Sequence, residues 1–184
     1  MEGLAQALDA VAADDAQTAI VPADRSGPLP LSFQQERLWF LSRLDASAGA
    51  AYAIACALRL SGRLDVAALA AALHGVVERH ESLRTRFAVA EGHPVQVIEA
   101  SDRFALARED ASALSEAALT ERVASLAAAP FDLALGPLFR AHLLRLGEAG
   151  HILVVGGHHT VLDGWSIGLL LHEVSVLYAA RRRG

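Results

Sequence analysis

The sequence predicts a layered α/β body, with helices packed against a sheet, and three observations carry that prediction. Helix-like and strand-like segments interleave along the chain. Two segments, starting at Val66 and Ile167, place apolar residues at identical helical offsets. Between them stand short apolar runs closed by glycine-containing turns.

Taken in order, residues 1–20 are alanine-rich and fit one short helix, and Pro22, Pro28 and Pro30 hold the following stretch extended. Residues 1–30 therefore read as a leader and proline-containing linker, with the globular body over 31–184. Ser32 suits the N-cap of a helix over 33–44. A strand over 52–60 closes at Ser61-Gly62, and Asp65 caps a helix whose stripe is Val66, Leu69, Ala70, Leu73, Val76 and Val77. Strands follow at 83–89 and 95–98 around a turn at Glu91-Gly92, and another is predicted over 104–107. A helix over 112–128 ends before Pro130. Strands at 138–146 and 152–155 form a hairpin around Gly147 and Gly150. The last helix, 165–180, carries Ile167, Leu170, Leu171, Val174, Leu177 and Tyr178 on one face.

Composition narrows the function classes. With 184 residues and 53% hydrophobic content, the chain can bury a core of its own. A net charge of -5, from 16 basic and 21 acidic side chains, gives no basic footprint for nucleic acid. All sixteen basic residues are arginine. No apolar run reaches the roughly 18 residues of a membrane helix, and Glu2 with a first positive charge at Arg25 is unlike a signal peptide. The lone Cys56 cannot form an internal disulfide and reads as a buried thiol in a reducing, cytoplasmic setting.

The chemistry concentrates in Gly156-Gly157-His158-His159-Thr160-Val161-Leu162-Asp163-Gly164-Trp165-Ser166, between the most apolar strand and the final helix. Such loops are where α/β proteins place their sites. Side chains alternate along an extended chain, so His158 and His159 face opposite ways: one can enter a cavity while the other anchors the loop. A cavity-facing imidazole is a natural general base near neutrality. The two glycines permit a close backbone approach or an unusual turn. Divergent neighbouring histidines make a poor metal site, and none is predicted. Gly164-Trp165-Ser166-Ile167-Gly168 matches the pattern of a hydrolase nucleophile elbow. However, the chain has too little sequence after Gly168 to supply the remaining partners, and Ser166 falls in the first helical turn instead.

The segment His158-His159-Thr160-Val161-Leu162-Asp163-Gly164 resembles the His-His-x-x-x-Asp-Gly motif of nonribosomal peptide synthetase condensation domains. Leu31-Ser32-Phe33-Gln34-Gln35-Glu36-Arg37-Leu38-Trp39 resembles that family's opening motif, and Arg79-His80-Glu81-Ser82-Leu83-Arg84-Thr85-Arg86-Phe87 its Arg-His-Glu-x-Leu-Arg-Thr-x-Phe motif. Pro130-Phe131-Asp132 and Gly136-Pro137-Leu138 fall in the expected order. Two positions depart: Gly157 stands where the family often has a larger residue, and Leu162 where a small one is common.

The resemblance implies a chloramphenicol acetyltransferase-like fold of two lobes with a tunnel between them, of which this chain would be the N-terminal lobe. It implies amide formation between an acyl or peptidyl thioester on one carrier protein and an aminoacyl thioester on another. Donor and acceptor peptidyl carrier proteins are the implied partners. Their phosphopantetheine arms carry the substrates, with no cofactor bound directly. His159 would stand at the reaction centre with His158 beside it. Asp163 would pair with an arginine, Arg84 first and Arg79 second, to hold the loop, and Gly164 would keep a side chain out of the tunnel. The opening motif looks most like the subtype joining an L-donor to an L-acceptor. A lobe alone is expected to need the missing C-terminal lobe and neighbouring synthetase domains, or to self-associate through its exposed face. Residues 1–20 read equally as a docking segment or a dispensable tail. The competing reading is a non-catalytic module that recruits a carrier protein or a tailoring enzyme.

Overall fold

A computed structural model describes residues 21–44 and 51–183. Its elements are β1 (Leu29–Pro30), α1 (Phe33–Leu44), β2 (Ala53–Ser61), α2 (Val66–Arg79), β3 (Thr85–Ala90), β4 (His93–Ile98), β5 (Ala107–Asp110), α3 (Glu116–Ala128), β6 (Phe139–Arg145), β7 (Gly150–His158) and α4 (Gly164–Arg183). The expected leader helix over 1–20 lies outside the described residues.

Helix starts follow local chemistry. Ser32 Oγ accepts from Gln35 N at 3.2 Å while Gln35 Oε1 accepts from Ser32 N at 2.9 Å, a reciprocal capping box that starts α1. Asp65 accepts from Ala68 N at 2.9 Å and starts α2. The α3 cap is Ser115, whose Oγ accepts from Ala118 N, so that helix begins later than the predicted 112. The linker-like stretch is held on the body: Leu29–Pro30 pairs with β4, and Arg25 makes a bidentate bond to Glu81.

The strands divide between two sheets. One is three-stranded, in the order β1-β4-β3; the other is four-stranded, in the order β2-β7-β6-β5. In the larger sheet β2, β7 and β6 are antiparallel, and only β5 runs parallel to its neighbour β6. The predicted strand at 104–107 is displaced to Ala107–Asp110. The apolarity of Phe104 serves packing instead, since its ring stacks on Phe139 at 5.6 Å. The true edge strand is polar, with Glu109 bound by Arg122 and Asp110 by Arg145.

Alternation along β7 divides the core between the two faces of the larger sheet. Leu153 and Val155 meet the stripes of α2 (Leu69, Leu73, Val76, Val77) and α4 (Ile167, Leu170, Val174). On the other face, Ile152 and Val154 pack with Leu119 of α3. A third cluster of Leu31, Phe87, Phe131, Leu133 and Leu138, with half-buried Trp39, lies beneath α1. Helices thus cover the sheet on both faces, the layered α/β body predicted.

Candidate active site

The site begins with a strand that can come unusually close to its neighbour. A Cβ at Gly156 would lie 2.8 Å from the Ile54 carbonyl oxygen and 2.9 Å from Ala55 Cβ, so only glycine lets β7 and β2 pair there. At Gly157 a Cβ would meet Leu138 O at 3.0 Å and Leu162 Cδ2 at 3.2 Å. The two departures from the family pattern therefore touch: Leu162, 5% exposed, occupies the space that a larger residue at 157 would need.

His158 ends β7 and is 1% exposed. Its Nδ1 accepts from Thr160 N at 3.2 Å and lies 2.9 Å from Thr160 Oγ1, which places the ring proton on Nε2. Phe131 meets the ring edge-on with centroids 6.4 Å apart, and Tyr52 lies at 6.1 Å. Burial, with repulsion from neighbouring His159 as a second cause, holds the His158 pKa down at about 4. His158 is a neutral anchor.

His159 faces the other way and is exposed. Its N–H donates to Tyr52 O at 2.9 Å, tying the loop to the residue before β2. The side chain lines an open recess of about 270 Å³ together with Ser32, Gln34, Gln35, Leu38, Asp163 and Ser166. The opposed orientations predicted for the two histidines are the ones found, and the opening-motif helix α1 forms the recess's opposite wall.

Asp163 behaves differently from the expected arginine partner. Its Oδ1 accepts from Ser166 N at 2.8 Å and Ser166 Oγ at 2.6 Å, capping α4. Neither arginine pairs with it. Arg84 donates to Glu99 O at 2.7 Å, bracing the turn before β3, and Arg79 lies 3.8 Å from Glu173 on α4. Arg84 and Arg79 thus make their polar contacts away from the loop's aspartate. The hydrogen bonds from Ser166, with a smaller effect of His159, hold the Asp163 carboxyl below its usual range. A cap on an exposed carboxylate makes a moderate prediction: Asp163→Ala lowers the melting temperature without abolishing folding, and Asp163→Asn retains most of the cap. Thermal melts of the two variants check this. Ser166 is engaged by Asp163 in the first turn of α4, as the rejection of a hydrolase elbow requires. Among the described residues, a Cβ at Gly164 would meet nothing within 4 Å, so no described neighbour explains a glycine at that position.

From the sequence, Gln35 stands out only as part of a motif; the structure places it against the histidine loop. The capping-box pattern at 32–35 is a local signal for its role in α1, but nothing local indicates a contact with residue 160. Among the described residues, no helix is long and apolar enough to cross a membrane.

Comparison with known proteins agrees with the geometry. The family model of the condensation domain matches residues 25–184, and the chain belongs to that family. It is 42% identical over 182 residues to the dimodular nonribosomal peptide synthase of Bacillus subtilis (strain 168), covering 99% of this chain and 8% of that protein. It is 39% identical over 175 residues to malpibaldin synthetase of Mortierella alpina, covering 93% of this chain and 3% of that one. Among solved structures, the starter condensation domain of rhizomide synthetase superposes with a TM-score of 0.78 at 26% identity, covering 86% of this chain and 39% of its own. The X-domain from teicoplanin biosynthesis gives 0.76 at 34% identity, covering 89% and 35%. The chain therefore spans well under half of each relative, and it has the chloramphenicol acetyltransferase-like fold of condensation domains.

Proposed function

We propose that this chain supplies the histidine-bearing side of a condensation site that joins two carrier-bound thioesters in a nonribosomal peptide synthetase. In that reaction the amine of an aminoacyl thioester attacks the carbonyl carbon of an acyl or peptidyl thioester. A C–N bond forms, the C–S bond breaks with the donor arm's sulfur leaving as a thiolate, and the proton lost by the amine ends on that sulfur as the free thiol. The observation that carries the reading is the division of labour at the end of β7. His158 is buried and neutral, while His159 stands exposed over a recess walled by α1.

Each part has a defined task. His158, fixed by Thr160, sets the direction of the peptide that follows it. His159, tethered through its N–H to Tyr52, presents an imidazole that takes or steers the amine's proton. Asp163 fixes the start of α4 behind it. Donor and acceptor peptidyl carrier proteins deliver the thioesters on phosphopantetheine arms, and the tunnel's second wall comes from outside this lobe. Arg84 and Arg79 contribute through the scaffold.

A second reading, a non-catalytic module that holds a partner protein, draws on the likeness to the teicoplanin X-domain, solved in complex with OxyB. The two readings separate in one experiment. A synthetase module containing this chain is supplied with loaded donor and acceptor carriers, and the acceptor carrier is analysed by mass spectrometry. Condensation puts a dipeptidyl thioester on the acceptor. A recruiting module leaves both carriers loaded and unextended, and retains a partner in a pull-down.

A further inference from the structure

We infer that Gln35 is a positioning residue for His159: from α1 its amide clamps the Thr160 carbonyl and so fixes the Thr160–Val161 peptide, one residue beyond the exposed histidine. The inference rests on reading this loop as a condensation site, and it adds a residue that acts on the histidine through the backbone.

The Gln35 side chain is fully committed. Its Oε1 accepts from Ser32 N at 2.9 Å, which holds the side chain at the start of α1. Its Nε2 carries two hydrogens and faces two acceptors, Thr160 O at 3.3 Å and Gln96 Oε1 at 3.4 Å. Gln96 is itself oriented, because its Nε2 donates to Pro30 O at 2.8 Å. Gln35 therefore joins three parts of the molecule: the cap of α1, the smaller sheet through β4, and the histidine loop. Both of its donors are spent within the protein, which suits a brace better than a substrate contact.

The loop needs such a brace on this side. Its amide groups are held from the residue before β2 and from within: His159 N by Tyr52 O, Thr160 N by His158 Nδ1, and Val161 N by His158 O. The Thr160 carbonyl has none of these partners and points to α1, where Gln35 receives it across 125 residues of sequence. Releasing it frees the Thr160–Val161 peptide, one residue beyond His159, and a reacting group displaced by about 1 Å can lose roughly 100-fold in rate.

Gln35→Glu tests this. The carboxylate still accepts from Ser32 N, so α1 keeps its cap, but it has no hydrogen for Thr160. In a module with loaded carriers, the variant is expected to lose about 10- to 100-fold in kcat at unchanged KM for both carriers, and to melt somewhat lower because Thr160 O and Gln96 Oε1 lose their donor. As pH falls and the new carboxyl takes up a proton, it regains a donor, so the activity ratio of variant to wild type rises. Hydrogen exchange on this chain reads the clamp without turnover, and the Val161 and Leu162 amides should exchange faster in the variant. Wild-type kcat, or a raised KM at unchanged kcat, overturns the inference, as does unaltered exchange. Should the wild-type module itself form no dipeptide, the condensation reading fails, and the exchange measurement still decides the clamp.

Discussion

In an intact module, replacing His159 by alanine is expected to lower dipeptidyl thioester formation by about 10²- to 10⁴-fold, the usual contribution of a positioned acid–base group. The fold should be spared, because the His159 side chain is exposed and its structural bond to Tyr52 is made by the backbone. Carrier loading and the melting temperature should therefore match wild type, which confines the loss to the joining step. His159→Gln distinguishes two ways in which the imidazole could act. An amide can still accept a hydrogen bond from the amine and orient it, but it cannot take up a proton at neutral pH. If Gln restores much of the rate, orientation is the main role; if it is as slow as Ala, proton transfer is. Full dipeptide formation by His159→Ala would remove the histidine from the reaction altogether.

The second large effect belongs to His158 and appears in stability. Its folded pKa of about 4 lies well below the ordinary histidine value of 6.5, so the unfolded chain binds more protons between those limits. Stability is thus complete above pH 6.5, falls as pH drops toward 4, and levels off below. The shift is worth roughly 3 kcal/mol. His142, pushed down chiefly by burial and also by Arg140, acts in the same direction. The diagnostic quantity is therefore the difference between wild type and His158→Asn, whose short amide can still accept from Thr160. Urea melts from pH 7.5 to 4.5 should show wild type losing stability more steeply than the variant. Parallel slopes would mean that His158 is not held neutral by the fold.

Much of this fold is legible in the sequence because its signals are local. Helical stripes, the capping residues Ser32 and Asp65, and the turn glycines act within a few residues of one another. The division of strands into two sheets is not legible, since pairing partners such as β1 and β4 are distant in sequence and carry no mark of each other. The strand expected over 104–107 falls in the wrong place because Phe104 is apolar for the sake of Phe139, whereas the real edge strand is charged. At the site, strand alternation correctly separates His158 from His159. The arginine partner expected for Asp163 comes from family resemblance alone; in this chain the nearer hydroxyl and amide of Ser166 satisfy the carboxylate. Gln35 stays hidden because its reach to Thr160 is set by how α1 lies over the loop, which only the tertiary fold determines.

The pairing of β7 with β2 has a consequence for biogenesis. Ala53 lies opposite His158, so strands roughly a hundred residues apart must meet before the larger sheet exists. On the ribosome β2 and the apolar stripe of α2 emerge early and wait for their partner, exposed to misassociation throughout that interval. His158 ends the very strand that completes the sheet and His159 follows it directly, so the recess and the core are both finished only once α4 has emerged. Nascent chains halted before Gly150 should collect on chaperones, and no partly built recess should accumulate on the way.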